Sequence, residues 1–134
     1  MSEDVIVRSK ELYYRGKNLD ELKTLDVREF AKLLPSRSRR SIMRHFDIVD
    51  RFVKRCETSV SQNKKIRTHL RDIVIVPRLV GINIAIYNGK TYNDVKITSN
   101  MIGHRLGEFS ATRVKVTHGN PGIGATKSSA ADKK

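Results

Sequence analysis

The sequence predicts an α+β fold, with helices first, a small sheet after them and a basic tail at the end. Three observations predict it. Up to about residue 60, apolar side chains recur three and four apart; between residues 73 and 97 the apolar period drops to two; beyond residue 118 no period remains. A chain of 134 residues supports one domain with a modest core.

The first helix follows Asn18, which has Glu21 three residues on, the spacing of a capping box, with Leu19 and Leu22 as the apolar side. Asp26 repeats the device with Glu29, and Val27, Phe30, Leu33 and Leu34 form a stripe that Pro35 closes. Ser36 or Ser38 begins a longer helix, whose stripe is Ile42, Phe46, Val49, Val53, Cys56 and Val60. Arg39, Arg40, Arg44, Arg51, Lys54 and Arg55 fall mostly off that stripe and give the helix a basic outer side, which Asp47, Asp50 and Glu57 dilute only partly and which reads as an RNA or DNA contact face. Residues 62–65 read as a polar, basic linker.

Ile73, Val74, Ile75 and Val76 are β-rich, but Pro77 cannot donate to a ladder and limits them to a short or edge element. Ile82, Ile84 and Ile86 alternate as a strand. Asn88-Gly89 is the dipeptide of a type I′ hairpin turn, and Val95 and Ile97 return beside Tyr92. Thr98 or Ser99 caps a short helix over residues 100–106, with Gly107 as its left-handed end. Val114 and Val116 predict one more short strand or an extended arm. The final 16 residues, 119–134, carry glycines, serines and lysines without apolar period and are expected to be disordered alone in water.

The chain has 27 Lys plus Arg against 14 Asp plus Glu, a net charge of +13. Such a surplus repels itself without an anionic partner, and nucleic acid is the commonest one. The charge is uneven: residues 1–35 hold 7 basic and 7 acidic side chains, residues 36–72 hold 11 and 4, and residues 73–134 hold 9 and 3. Residues 1–35 therefore read as protein-facing or solvated and the rest as RNA- or DNA-facing. The chain is divided into an N-terminal helical extension and basic linker (residues 1–65), an α+β RNA-binding core (residues 66–118) and the tail (residues 119–134). Cys56 is the single cysteine, which leaves no internal disulfide and fits a reducing compartment. No apolar leader or membrane-length run is expected from the sequence, and so no membrane partner.

Catalytic constellations are missing. In the run Gly119-Asn-Pro-Gly-Ile-Gly-Ala-Thr-Lys, Ala125 and Thr126 separate Gly124 from Lys127, whereas a nucleotide-binding phosphate loop needs its lysine directly after the last glycine. His45, His69, His104 and His118 lack metal-ligand spacing and read as hydrogen-bonding or stacking groups. Asp72 and Glu108 are single carboxylates among cations, suited to orienting an arginine or capping a helix. The chain is read as no enzyme, with no cofactor. Gly103 and Gly107 flank His104-Arg105-Leu106 and serve either a close-approaching phosphate or turns and packing.

Asn88-Gly89-Lys90, six residues, Ile97, four residues, Ile102-Gly103, two residues, then Leu106-Gly107-Glu108-Phe109 and Thr112 resembles the signature of a ribosomal family, that of the nineteenth protein of the small subunit. The resemblance extends over residues 68–129. Thr68-His69-Leu70-Arg71-Asp72, Pro121-Gly122-Ile123-Gly124-Ala125-Thr126 and the early Tyr14-Arg15-Gly16 are similar to its archaeal and eukaryotic branch. Bacterial relatives lack most of the region before about residue 60 and carry a second basic residue where this chain has Asp72. Residues 130–134 depart from eukaryotic relatives.

The resemblance implies a three-stranded sheet and a cytoplasmic, ribosome-bound structural role. It implies binding to the 3′ domain of small-subunit ribosomal RNA in the subunit head, beside the thirteenth small-subunit protein. It also implies a tail directed toward the decoding region and A-site transfer RNA, near a bridge to the large subunit. Charge and resemblance together nominate Arg71, Lys90, His104, Arg105, Arg113, Lys115, His118 and Lys127 as RNA contacts. Gly89, Gly103, Gly107, Gly122 and Gly124 are nominated as points of close approach. Charge alone leaves a second reading, a free-standing basic RNA- or DNA-binding protein such as an RNA chaperone or chromatin component.

Overall fold

The computed structural model describes residues 13–115. The expected strand contribution of Val116, and the nominated His118, Gly122, Gly124 and Lys127, lie outside the described residues, as does the expected tail. The described residues begin with a two-stranded hairpin, β1 (Tyr13–Tyr14) and β2 (Lys17–Asn18), paired Tyr14 to Lys17. Its two turn residues, Arg15 and Gly16, both have positive φ, at 52° and 80°. That is the requirement of a type I′ turn.

Four helices follow. In α1 (Leu19–Thr24), the Asn18 side chain accepts from the Leu19 N–H at 2.7 Å, and Asp20 and Glu21 stand in the first turn, where the helix dipole favours them. In α2 (Val27–Leu33) the expected capping box forms, with Glu29 accepting from the Asp26 N–H at 3.4 Å. Leu22, Val27, Phe30, Ala31 and Leu34 turn inward.

The expected long helix is two helices, α3 (Ser36–Arg44) and α4 (Phe46–Ser61). They are divided at His45, whose φ of −117° and ψ of 28° leave the helical range. α3 begins at Ser36, one of the two expected starts, with Pro35 in the cap position. The α4 core face is Val49, Phe52, Val53 and Cys56, while Val60 is 49 % exposed and leaves the expected stripe. What reads as a linker at 62–65 begins as the helix cap. Asn63 is left-handed (φ 51°), its N–H donates to the Val60 carbonyl at 3.0 Å, and the Lys64 N–H reaches the Ser59 carbonyl at 2.9 Å. These two bonds make a Schellman motif with asparagine in glycine's usual place.

The sheet has three strands, in the order β3 (Ile66–Thr68), β4 (Asn83–Tyr87), β5 (Tyr92–Lys96). β3 runs parallel to β4, pairing Ile66 with Ile84, and β4 runs antiparallel to β5. β4 and β5 confirm the expected hairpin, but its turn is not type I′. Tyr87 pairs with Tyr92 across a four-residue loop in which, of the two turn residues expected to be left-handed, only Gly89 has positive φ, at 102°. The Asn88 side chain holds the loop instead, accepting from the N–H groups of Lys90 (2.9 Å) and Thr91 (2.8 Å).

Residues 73–76 do not join this sheet. They run antiparallel to residues 103–107, with Ile75 N–H donating to the His104 carbonyl (2.8 Å), Gly103 N–H to Ile75 (3.0 Å) and Leu106 N–H to Ile73 (3.0 Å). Only the Val74–Arg105 pair is a formal bridge. All four apolar residues are buried, so the edge element predicted from Pro77 is an internal ribbon. The short helix expected over 100–106 is replaced by two 3-10 turns, Ser99–Met101 and Leu106–Phe109, with Gly103 (φ 84°) as the left-handed residue between them. Gly107 therefore ends no helix. Residues 113–115 form no strand, and Val114 is 81 % exposed. One core joins the helices to the sheet, centred on Phe30, Ile42, Val53, Ile75, Ile84 and Leu106.

Candidate nucleic-acid interface

The 73–76/103–107 ribbon fixes where Arg105 stands. Its backbone is held on one side by Val74, and on the other its N–H donates to Glu108 Oε1 at 3.1 Å. The other Glu108 oxygen lies 2.7 Å from His104 Nδ1. The backbone bond from Arg105, and then the His104 contact, hold the Glu108 carboxyl below its usual pKa. Glu108 thus has the capping task expected of it.

The Arg105 side chain borders an open hollow that it shares with Arg37, Arg40, Ser41, Arg44, His45 and Asp72. The break at His45 matters here. It ends α3 so that Arg37, Arg40 and Arg44, three and four residues apart, line one wall. Four arginines and a histidine thus line the hollow together with one aspartate. Planar guanidinium forks bind phosphate oxygens in pairs, which suits this hollow to an anion with several oxygens.

The other nominated residues are dispersed. Lys90 is exposed at the tip of the β4–β5 loop, and Arg113 and Lys115 are exposed beyond the last 3-10 turn. None of the three lines the hollow. His104 is exposed and paired with Glu108. Arg71 is turned inward: its guanidinium donates to the carbonyls of Tyr87, Gly107 (2.8 Å) and Ser110 (2.7 Å).

The glycines also have internal neighbours. A Cβ on Gly103 would lie 2.9 Å from the Tyr14 hydroxyl and 3.1 Å from Leu34 Cδ2, and one on Gly107 would lie 3.0 Å from both Cβ and the carbonyl oxygen of Arg71. Of the two roles open to these glycines, packing has direct geometric support. Gly89 has open space and needs only its positive φ.

Sequence reasoning leaves Arg37 unnamed; it reads the basic helix side with Arg40 and Arg44 as facing RNA or DNA and His45 as a hydrogen-bonding or stacking group, without naming them as individual contacts. The structure adds that Arg105 shares one hollow with them. Among the described residues, no group of His, Cys, Asp and Glu is placed to hold a metal ion, and no helix is long and apolar enough to cross a membrane.

Residues 38–118 match the family model described as Ribosomal protein S19. The small ribosomal subunit protein uS19 of Saccharolobus solfataricus is 46 % identical to this chain over 133 residues, covering 96 % of this chain and 95 % of that protein.

Proposed function

Because the chain belongs to the ribosomal protein S19 family, we propose that its exposed cations hold folded ribosomal RNA within the small ribosomal subunit, of which it is a structural, non-enzymatic constituent. The observation that carries the reading is the convergence of Arg105 with Arg37, Arg40, Arg44 and His45 around one hollow. A folded RNA brings phosphates close together at turns and strand crossings, and a cluster of guanidinium forks relieves their repulsion. Recognition is of shape and phosphate position, since few exposed rings are available for reading bases.

Lys90, His104, Arg113 and Lys115 extend the contact surface, with His118 and Lys127 beyond the described residues. Arg71 acts through its neighbours, by holding residues 107–110 in place. Gly89, Gly103 and Gly107 keep the backbone in the conformation that displays these groups. The family supports a position in the subunit head, on the 3′ domain of the RNA and beside the thirteenth small-subunit protein. It also supports a tail toward the decoding region and A-site transfer RNA, a nearby bridge to the large subunit, and a cytoplasmic location.

Sedimentation at high salt tests this. The chain is expected to travel with the small subunit under conditions that retain other core proteins, and its selective release there contradicts the reading.

A further inference from the structure

Aromatic residues in this protein mostly serve the core. Phe30 and Phe52 are buried, and Tyr14, Phe46 and Phe109 pack against it. His69, Tyr87 and Tyr92 do not join it. They gather at one end of the sheet, with ring centroids 4.4 Å apart for His69–Tyr87, 5.4 Å for His69–Tyr92 and 5.1 Å for Tyr87–Tyr92. Strand register explains the side they occupy. Ile84 and Ile86 turn inward, so Tyr87, its partner Tyr92, and Arg67 two residues before His69 belong to the opposite face.

Hydrogen bonds tie the cluster together. The Tyr92 hydroxyl lies 2.6 Å from His69 Nε2, and the Tyr87 hydroxyl donates to the Gly89 carbonyl at 2.8 Å. The Arg67 guanidinium lies 5.4 Å from the centre of the Tyr92 ring. Tyr92 and His69 are nevertheless exposed, and Lys90 stands at the adjoining turn.

We propose that this outer sheet face is a second RNA contact, one that stacks an unpaired nucleobase on His69 and Tyr92 while Arg67 and Lys90 meet its flanking phosphates. Hydrogen-bonded rings lose little entropy on binding, and a base offers a flat apolar partner to rings that stay exposed among the described residues. The adjacent cations match an anionic chain, which favours RNA over an apolar protein segment. The Tyr87–Tyr92 pair alone would stabilise the hairpin, but it does not require His69 or a guanidinium beside it. The inference rests on the RNA-binding reading and extends it from phosphates to a base.

The test measures affinity of the full chain for a transcript of the 3′ domain of small-subunit ribosomal RNA across a salt series. Tyr92→Leu and His69→Ala are expected to weaken binding about five- to a hundredfold with the salt slope unchanged. Tyr92→Phe, which keeps the ring, stays near wild type and controls for folding. Irradiation at 254 nm is expected to crosslink RNA to the segment holding His69 or Tyr92. Unchanged affinity in Tyr92→Leu, with Arg40→Ala and Arg44→Ala still lowering it, overturns the platform and leaves the phosphate hollow standing. No binding by the wild-type chain removes the RNA reading itself. Normal affinity with failed incorporation into the subunit assigns the face to a protein and also overturns the proposal.

Discussion

The guanidinium of Arg71 donates to the carbonyl of Ser110 at 2.7 Å, joining residues 39 apart in the chain. The same group reaches Gly107 and Tyr87, so one side chain ties the last 3-10 turn to the end of β4. Ser110 is itself fully buried and donates to the Ile86 carbonyl at 3.3 Å. Hydrogen bonds from a charged donor are worth about 1.5–3 kcal/mol each, and a half-buried fork realises part of that. Arg71→Ala is expected to cost about 3 kcal/mol in denaturant unfolding. Lys restores less than half, because one ammonium cannot span three diverging carbonyls.

Gly103 is the second internal constraint. At φ 84° any side chain is strained, and its Cβ would meet the Tyr14 hydroxyl at 2.9 Å. Gly103→Ala is expected to destabilise by about 2 kcal/mol. In a Tyr14→Ala background the penalty shrinks but stays above about 1 kcal/mol, because removing the ring relieves its own clash but neither the close approach to Leu34 nor the dihedral. Thermal unfolding of the wild type and the three variants checks the cycle.

The arginine hollow makes an electrostatic prediction. Arg40→Ala and Arg44→Ala each lower the salt slope of RNA affinity by about one, as expected for the loss of one phosphate contact. Both residues are exposed and have no side-chain hydrogen-bond partner among the described residues, so their stability change stays within about 0.5 kcal/mol by the same unfolding assay.

Cys56 is buried, and burial pushes its thiol from 9.0 up to about 11. The folded state therefore favours the neutral thiol. Stability from this group is complete below pH 9.0 and falls as pH rises toward about 11. At neutral pH the native protein is expected to resist thiol-specific alkylation and to react once unfolded; rapid native alkylation contradicts the burial.

Glu108 has the opposite sign. Its carboxyl is held below 4.5, so the folded state favours the ionised form. That contribution is present above the ordinary value and is lost as pH falls below it. Glu108→Gln is expected to be less stable than wild type at pH 7, with the difference closing in acid, as read by unfolding midpoints across pH.

The features legible in the sequence were those settled over three or four residues. Asp26 and Glu29 cap their helix as spaced, Leu22, Phe30, Val49 and Val53 face inward as their period predicts, and Ile84 and Ile86 form the strand they suggest. Net charge likewise needs no fold, and it pointed to an anionic partner. The turn types were not legible. Asn88-Gly89 has a hairpin dipeptide, yet the Asn88 side chain accepts two N–H groups and widens the loop, while the type I′ geometry falls at Arg15-Gly16.

What only the tertiary structure decided is which distant groups meet. Residues 73–76 read as an edge strand but find residues 103–107, a pairing of segments about thirty residues apart that no local pattern encodes. Arg71 and Arg105 look alike in sequence, two basic residues each with a carboxylate within three positions. One is consumed by three carbonyls and the other stands open beside three arginines. The sequence by itself determined periodic faces, caps and charge, because these depend on neighbours within a turn. The tertiary structure decided which cations stay available to a partner, because an unsatisfied buried carbonyl claims any donor that the packing brings within reach.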